Sequence, residues 1–302
     1  MTHFHSPSQS INPKFCHSLQ EISAKYTGFI IDLWGVLHDG HQLFPWSQTC
    51  IKALKASGKK IVFLSNSPRR SEYIRKDLRD KGLSPAEIDH VHTSGEETYL
   101  QLAQNKNLRA QIGKKCLAIG YTDEDEGLMT PLGITRTDNA DEADFICVFR
   151  SDPNVNLHDF KVMVRPYIEK GTPLLCPNPD VSAIHNGKKT MCPGAYGEIY
   201  SQCGGDVLMY GKPYQVIYQR VLKQFHTWGI PDREILCIGD LLETDILGAR
   251  GSHLSSALVM SGVHGYNLDL QNKDFTPESQ ATILNLCHNV GTYPDYILPK
   301  LR

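Results

Sequence analysis

The chain has 302 residues, 40% of them hydrophobic and 21% charged, enough to bury one large core or two ordinary ones. Its 31 basic and 33 acidic residues give a formal net charge of −2, which supplies no field for holding nucleic acid or an anionic membrane. No apolar run approaches membrane-span length, and the polar stretch Met1 to Lys14 lacks the apolar centre of a signal peptide. The nine cysteines are odd in number, form no CxxC pair and fall partly in apolar runs such as Phe145-Ile146-Cys147-Val148. Reduced, buried thiols in a cytoplasmic protein are the expectation.

In chain order, residues 1–25 read as a mobile arm leading into a short helix. Phe29 to Ile31 is too short and too β-branched for a helix, and reads as a buried strand that Asp32 closes. A helix is expected over 45–57 and a strand over 59–64. Ser67 as N-cap and Pro68 as first helical residue then predict a charged helix to about Gly82, with Arg69 and Arg70 on its solvated face. Thr93-Ser94 caps a helix over 96–104, and the polar stretch Asn105-Lys106-Asn107 follows. A second α/β unit is expected through about residue 197, with strands 116–119, 144–149 and 173–176 and a helix near 157–170. The first unit then resumes with a strand over 207–210 and a helix whose stripe Tyr214, Ile217, Tyr218, Val221, Leu222 and Phe225 faces the core. Strands 235–238 and 257–260, a helix over 245–250 and a tail helix near 277–287 complete the series. This alternation is the signature of a parallel sheet with crossover helices. The fold class is α/β, a Rossmann-like parallel-sheet core over 1–105 and 198–302 with an α/β insert over 106–197.

Polar groups stand at the ends of the core strands: Asp32, Ser65-Asn66, Lys212, and Asp240 with Asp245. A parallel sheet opens all its carboxyl ends on one edge, so residues far apart in sequence can meet in one crevice. Carboxylates gathered there repel one another unless a divalent cation joins them. Oxygen-only ligation favours Mg²⁺, which binds through one or two carboxylates and a substrate phosphate. The Ser65 hydroxyl, the backbone N–H groups after it and the Lys212 ammonium suit a phosphoryl group. An aspartate in such a site can act as a nucleophile and form an aspartyl-phosphate.

The run Asp32-Leu33-Trp34-Gly35-Val36-Leu37, then Leu64-Ser65-Asn66-Ser67, Gly211-Lys212-Pro213 and Gly239-Asp240-Leu241-Leu242-Glu243-Thr244-Asp245 resembles the four motifs of the haloacid dehalogenase-like hydrolases. Asn178-Pro179-Asp180 and Pro193-Gly194-Ala195 are similar to stretches late in the large α/β cap of one branch of that superfamily, which includes p-nitrophenylphosphatase-like, phosphoglycolate and pyridoxal-phosphate phosphatases. The resemblance spans about residues 26–265.

It implies a catalytic Asp32 that attacks phosphorus, and a Lys212 that balances charge on Asp32 and the phosphate. Ser65 and the Asn66 backbone would bind the phosphoryl group, with Asn178 and Asp180 on the substrate side. Asp32, the Trp34 backbone carbonyl, Asp240 and, through water, Asp245 would hold Mg²⁺. The resemblance implies a small phosphorylated metabolite as substrate and pairing of caps into a homodimer. The departure is Trp34, where the phosphatases carry a second aspartate that protonates the leaving group. His38 and Asp39 are the nearest substitutes. The expectation is therefore a Mg²⁺-dependent hydrolase, or else a phosphate-binding or regulatory protein with little turnover. Dehalogenases also lack that second aspartate, but retention of Asp240 and Asp245 argues against carbon–halogen chemistry.

Overall fold

The computed structural model describes residues 12–152, 155–185, 188–270 and 273–302. Residues 1–11 of the expected N-terminal arm lie outside them, but the rest is no mobile arm: Lys14–Phe15 pairs in parallel with Tyr296 and Ile297 at the sheet edge, and Cys16, Leu19 and Ile22 are buried. Fourteen strands are present among the described residues, in chain order β1 (Lys14–Phe15), β2 (Gly28–Ile31), β3 (Lys60–Ser65), β4 (His90–Thr93), β5 (Lys115–Ile119), β6 (Thr135–Arg136) and β7 (Phe145–Val148). They continue with β8 (Leu174–Cys176), β9 (Ser182–His185), β10 (Lys188–Met191), β11 (Val207–Met209), β12 (Ile235–Gly239), β13 (Ser255–Val259) and β14 (Tyr296–Leu298). The core is a seven-stranded sheet in the order β1-β14-β13-β12-β2-β3-β4, parallel at every pairing. The insert is a second parallel sheet of five strands, β11-β8-β7-β5-β6, with an antiparallel ribbon formed by β9 and β10.

Both faces of the core sheet are covered, which is why its strands read as continuous apolar runs. Phe29 and Ile31 point to one face, with Ile51 and Leu54 of the helix Pro45–Ala56 and Ile74 and Leu78 of the helix Ser71–Asp80. Ile30, Val62 and Leu64 point to the other, against Ile217, Tyr218, Val221 and Phe225 of the helix Gln215–Thr227. The expected core stripe of that helix is thus present. Each such side chain contributes about 1.5–3 kcal/mol on full burial. From β2 the chain crosses to β3 on one side, while β12 fills the other side, so the end of β2 lies at a topological switch point.

Three further expectations need correction. Val207–Met209 does not belong to the core: it pairs in parallel with β8, Val207 opposite Leu174, so the second sheet extends past residue 197 to Met209. A three-residue apolar strand carries no mark of which sheet it joins. The charged helix begins at Ser71, not Pro68, and Ser67 Oγ only accepts from Arg69 N–H at 3.3 Å. The polar stretch 105–107 opens a further helix, Lys106–Ile112, which the Asn105 side chain caps by accepting from Leu108 N–H. The helix near 157–170 is two, Leu157–Met163 and Arg165–Glu169, the second with proline in its first turn. Thr93, by contrast, caps Ser94–Gln104 as expected by accepting from Glu96 N–H.

Candidate active site

Asp32 follows the central strand β2, between Ser65 at the end of β3 and Asp240 after β12. Their placement follows from strand order alone. Lys212 arrives differently. It stands on the segment that leaves β11 of the second sheet and enters the helix Gln215–Thr227, not at the end of a core strand. Its Nζ lies 2.5 Å from Asp32 Oδ1 and 2.7 Å from Asp245 Oδ1, and all three residues are buried.

The backbone of Lys212 is clamped by one side chain. Asn66 Oδ1 accepts from Lys212 N–H at 2.7 Å, and Asn66 Nδ2 donates to Lys212 C=O at 3.0 Å. The same Nδ2 donates to Asp180 Oδ1 at 2.8 Å, so a residue of the insert holds the clamp. Asn178 shapes that segment: its Oδ1 accepts from Asp180 N–H at 3.0 Å. Asp240 is oriented by Val263 N–H, 2.6 Å from its Oδ2. Gly35 and Gly262 crowd the same carboxylate, and a Cβ on Gly262 would stand 1.9 Å from Asp240 Oδ2. Only glycine fits there.

Asp32, Asp240 and Asp245 are buried, and each presents a carboxylate oxygen within 4.8 Å of the others. Three carboxylates and one ammonium sum to −3 + 1 = −2 when all are ionised. A hard divalent cation would neutralise the group, and the all-oxygen donor set fits Mg²⁺. Without it the charges strain one another. Burial pushes the Asp32 carboxyl up to about 7, with Lys212 opposing and Asp245 adding to the rise. Burial, then Asp32 and Asp245, raise Asp240 well above the usual carboxylate range. Burial works against the Lys212 ammonium, but Asp245, Asp32 and Asp180 outweigh it and its pKa is raised.

These groups floor a cavity of about 520 Å³ between core and insert. Asn178, Asp180, Ile184, His185 and Met191 line it from the insert side, and Trp34 and Arg69 from the core. All nine residues expected at the site border this cavity. The two proposed substitutes for the missing acid do not. His38 is buried with its Nδ1 accepting from Gly40 N–H at 3.0 Å, and burial lowers its pKa to about 4. Asp39 Oδ1 accepts from His41 and Gln42 N–H, each at 2.9 Å, and so closes the loop. Arg70 is not on a solvated face: it pairs with both Glu96 oxygens at 2.8 and 2.9 Å and lies 3.5 Å over the Tyr99 ring.

Sequence reasoning missed Val263 and Thr244. The first was hidden because its contribution is a backbone N–H. Thr244 borders the cavity, and its buried hydroxyl has no hydrogen-bond partner in the protein. Its place between Glu243 and Asp245 was the available signal. Among the described residues no helix is long and apolar enough to cross a membrane. All nine cysteines are free, and seven are buried.

A haloacid dehalogenase-like hydrolase family model matches residues 29–134, and a second, HAD-hydrolase-like model matches 209–284. The chain is 27% identical over 271 residues to 4-nitrophenylphosphatase of Schizosaccharomyces pombe, covering 81% of this chain and 87% of that protein. It is 27% identical over 241 residues to sugar-phosphatase AraL of Bacillus subtilis, covering 78% and 83%. A haloacid dehalogenase-like hydrolase from Brucella suis has the same fold, with a TM-score of 0.78 at 23% identity, covering 95% of this chain and all of that one. The chain is thus similar to haloacid dehalogenase-like hydrolases over both matched segments and shares their fold. Its second parallel sheet forms the cap domain of that fold.

Proposed function

We propose that the protein is a Mg²⁺-dependent hydrolase of a small phosphorylated metabolite that works through an aspartyl-phosphate on Asp32. The observation that carries this reading is the buried contact of Lys212 with both Asp32 and Asp245, beside Asp240, on the floor of a capped cavity. Lys212 holds one Asp32 oxygen and favours the ionised carboxylate that attack requires. Ser65 and the backbone N–H groups after it orient the phosphoryl oxygens. Held by Asp32, the Trp34 carbonyl, Asp240 and, through water, Asp245, Mg²⁺ would offset the charge of the phosphoryl group. Asp180 and Asn178 close the cavity from the cap and keep water from its floor. The names of the relatives, nitrophenyl and sugar phosphatases among them, support a phosphomonoester substrate.

The test is a panel of phosphomonoesters with Mg²⁺. Turnover by wild type and its loss by about 10⁴-fold or more in Asp32→Asn are expected. A folded wild-type protein that releases no phosphate from any member would defeat the reading. One observation favours a second reading, a phosphate-ligand binder: the Trp34 ring, which carries no exchangeable acid, borders the cavity, and His38 and Asp39 do not. Calorimetric binding of phosphate metabolites with no turnover would support that reading instead.

A further inference from the structure

The substrate class inferred for this site rests on the reading of Asp32 as a phosphoryl acceptor. An alkyl phosphate must release an alkoxide, a base near hydroxide in strength, whose parent water has a pKa of about 15.7. Protonating it in flight is worth about 10²–10⁴-fold. Trp34 stands two residues past Asp32, on the cavity wall. The ring is held from three sides. Gly40, at φ +98°, leaves space for it, since a Cβ there would lie 2.3 Å from Trp34 Cη2. His38 packs edge-on with ring centroids 5.5 Å apart, and His185 of the cap lies 5.6 Å away.

The carboxyl groups around the cavity are engaged elsewhere. Lys212 holds Asp32 and Asp245, Val263 N–H holds Asp240, and Asn66 holds Asp180. Glu124 pairs with Arg69 at 3.5 Å and Arg150 at 3.3 Å. His185 stacks on His41 at 5.3 Å. The cavity lining also offers apolar side chains, Ile184, Met191, Phe149 and Val263.

We propose that the site selects phosphates whose leaving group is planar and departs unprotonated, an aryl or acyl phosphate, with the Trp34 ring as the shelf against which that group packs. Phenolate and carboxylate leave without a donor because their conjugate acids have pKa values of about 10 and 4. In the first step an Asp32 oxygen bonds to phosphorus, and the bond from phosphorus to the leaving oxygen breaks with its electron pair. The anion takes its proton later from solvent. Water then attacks the aspartyl-phosphate at phosphorus. The Asp32 carboxylate departs with the electron pair of its bond to phosphorus, and the water's proton passes to phosphate or solvent.

The test is kcat/KM, with Mg²⁺, across substituted phenyl phosphates, acetyl phosphate and glycerol phosphate. This parameter reports the first transfer even where the second step limits kcat. Wild type should favour aryl and acyl esters over the alkyl ester by about 10²-fold or more, and release a burst of phenolate. Trp34→Asp should narrow that gap by at least tenfold. Trp34→Leu should raise KM for the aryl esters by about 5–10-fold and, unlike Trp34→Asp, bring no gain in kcat/KM for glycerol phosphate. If wild type handles the alkyl ester within tenfold of the aryl esters, a residue such as His185 or Asp180 delivers the proton and the proposal is overturned. If a folded protein hydrolyses neither class, the phosphatase reading itself falls and the substrate class falls with it. The wild-type series needs no variant, so a misfolded Trp34→Asp protein cannot shield the proposal.

Discussion

Asp240→Asn should make the metal-free protein more stable while removing its response to Mg²⁺. The three site carboxylates present oxygens within 4.8 Å of one another. Two unit charges at that separation repel by about 3 kcal/mol at an effective dielectric of about 20. Lys212 offsets this for Asp32 and Asp245, which it touches, but it makes no hydrogen bond to Asp240. An asparagine keeps an acceptor for Val263 N–H, so the 2.6 Å bond that orients the side chain survives in kind. The net gain expected without metal is about 1–3 kcal/mol. In wild type, Mg²⁺ at about 100 times its dissociation constant should add about 2.7 kcal/mol, or roughly 5–10 °C in Tm. Differential scanning fluorimetry of both proteins, with EDTA and with a Mg²⁺ series, reads the two effects separately and needs no substrate. A wild-type Tm indifferent to Mg²⁺, or an Asp240→Asn protein that melts lower without metal and still responds to it, would refute the reasoning.

Asp180→Ala removes the acceptor of Asn66 Nδ2 and should loosen Lys212, lowering kcat about 10–100-fold with little change in KM. Asp180→Asn retains an acceptor and should recover most of that loss; equal damage with a raised KM would instead mean that Asp180 touches substrate. Glu97, on the helix Ser94–Gln104, is buried yet its pKa is lowered to about 2, because bonds from His92, Arg220 and Gln101 outweigh burial. Its contribution to stability is present above pH 4.5 and is lost as pH falls toward 2. Glu97→Gln should cost about 3 kcal/mol at pH 7, and urea titrations should show that deficit shrinking between pH 4.5 and 2. A pH-independent deficit would rule out the ionic origin. Thr93→Ala should cost about 1 kcal/mol through the lost cap on Glu96 N–H, seen as a lower urea midpoint with an unchanged m-value.

The parallel core was legible because buried strands announce themselves. Phe29 to Ile31, Ile61 to Leu64 and Ile235 to Ile238 are apolar on both faces, and each ends at a polar residue or a glycine. Given parallel strands, Asp32, Ser65 and Asp240 had to share one edge, and the sheet order puts them on neighbouring strands. Val207–Met209 defeated the same reasoning, since pairing partners are chosen by packing and not by a strand's own residues. So did the helix start at Ser71: Ser67-Pro68 carries a helix-start signal, but the chain spends residues 67–69 on the wall of the cavity.

Local residue chemistry was therefore enough to name Asp32, Lys212, Asp240 and Asp245 as a set, because charge and strand position are properties of the chain itself. Only the tertiary structure decided how that set is held. Lys212 reaches it from the cap side, Asn66 and Asp180 fasten its backbone, and a backbone N–H at Val263 aims Asp240. It also decided that Trp34 faces the cavity while His38 and Asp39 are committed to their own loop. Hydrogen bonds between segments as distant as residues 66 and 212 depend on where the folded backbone brings them, and no local pattern records that meeting.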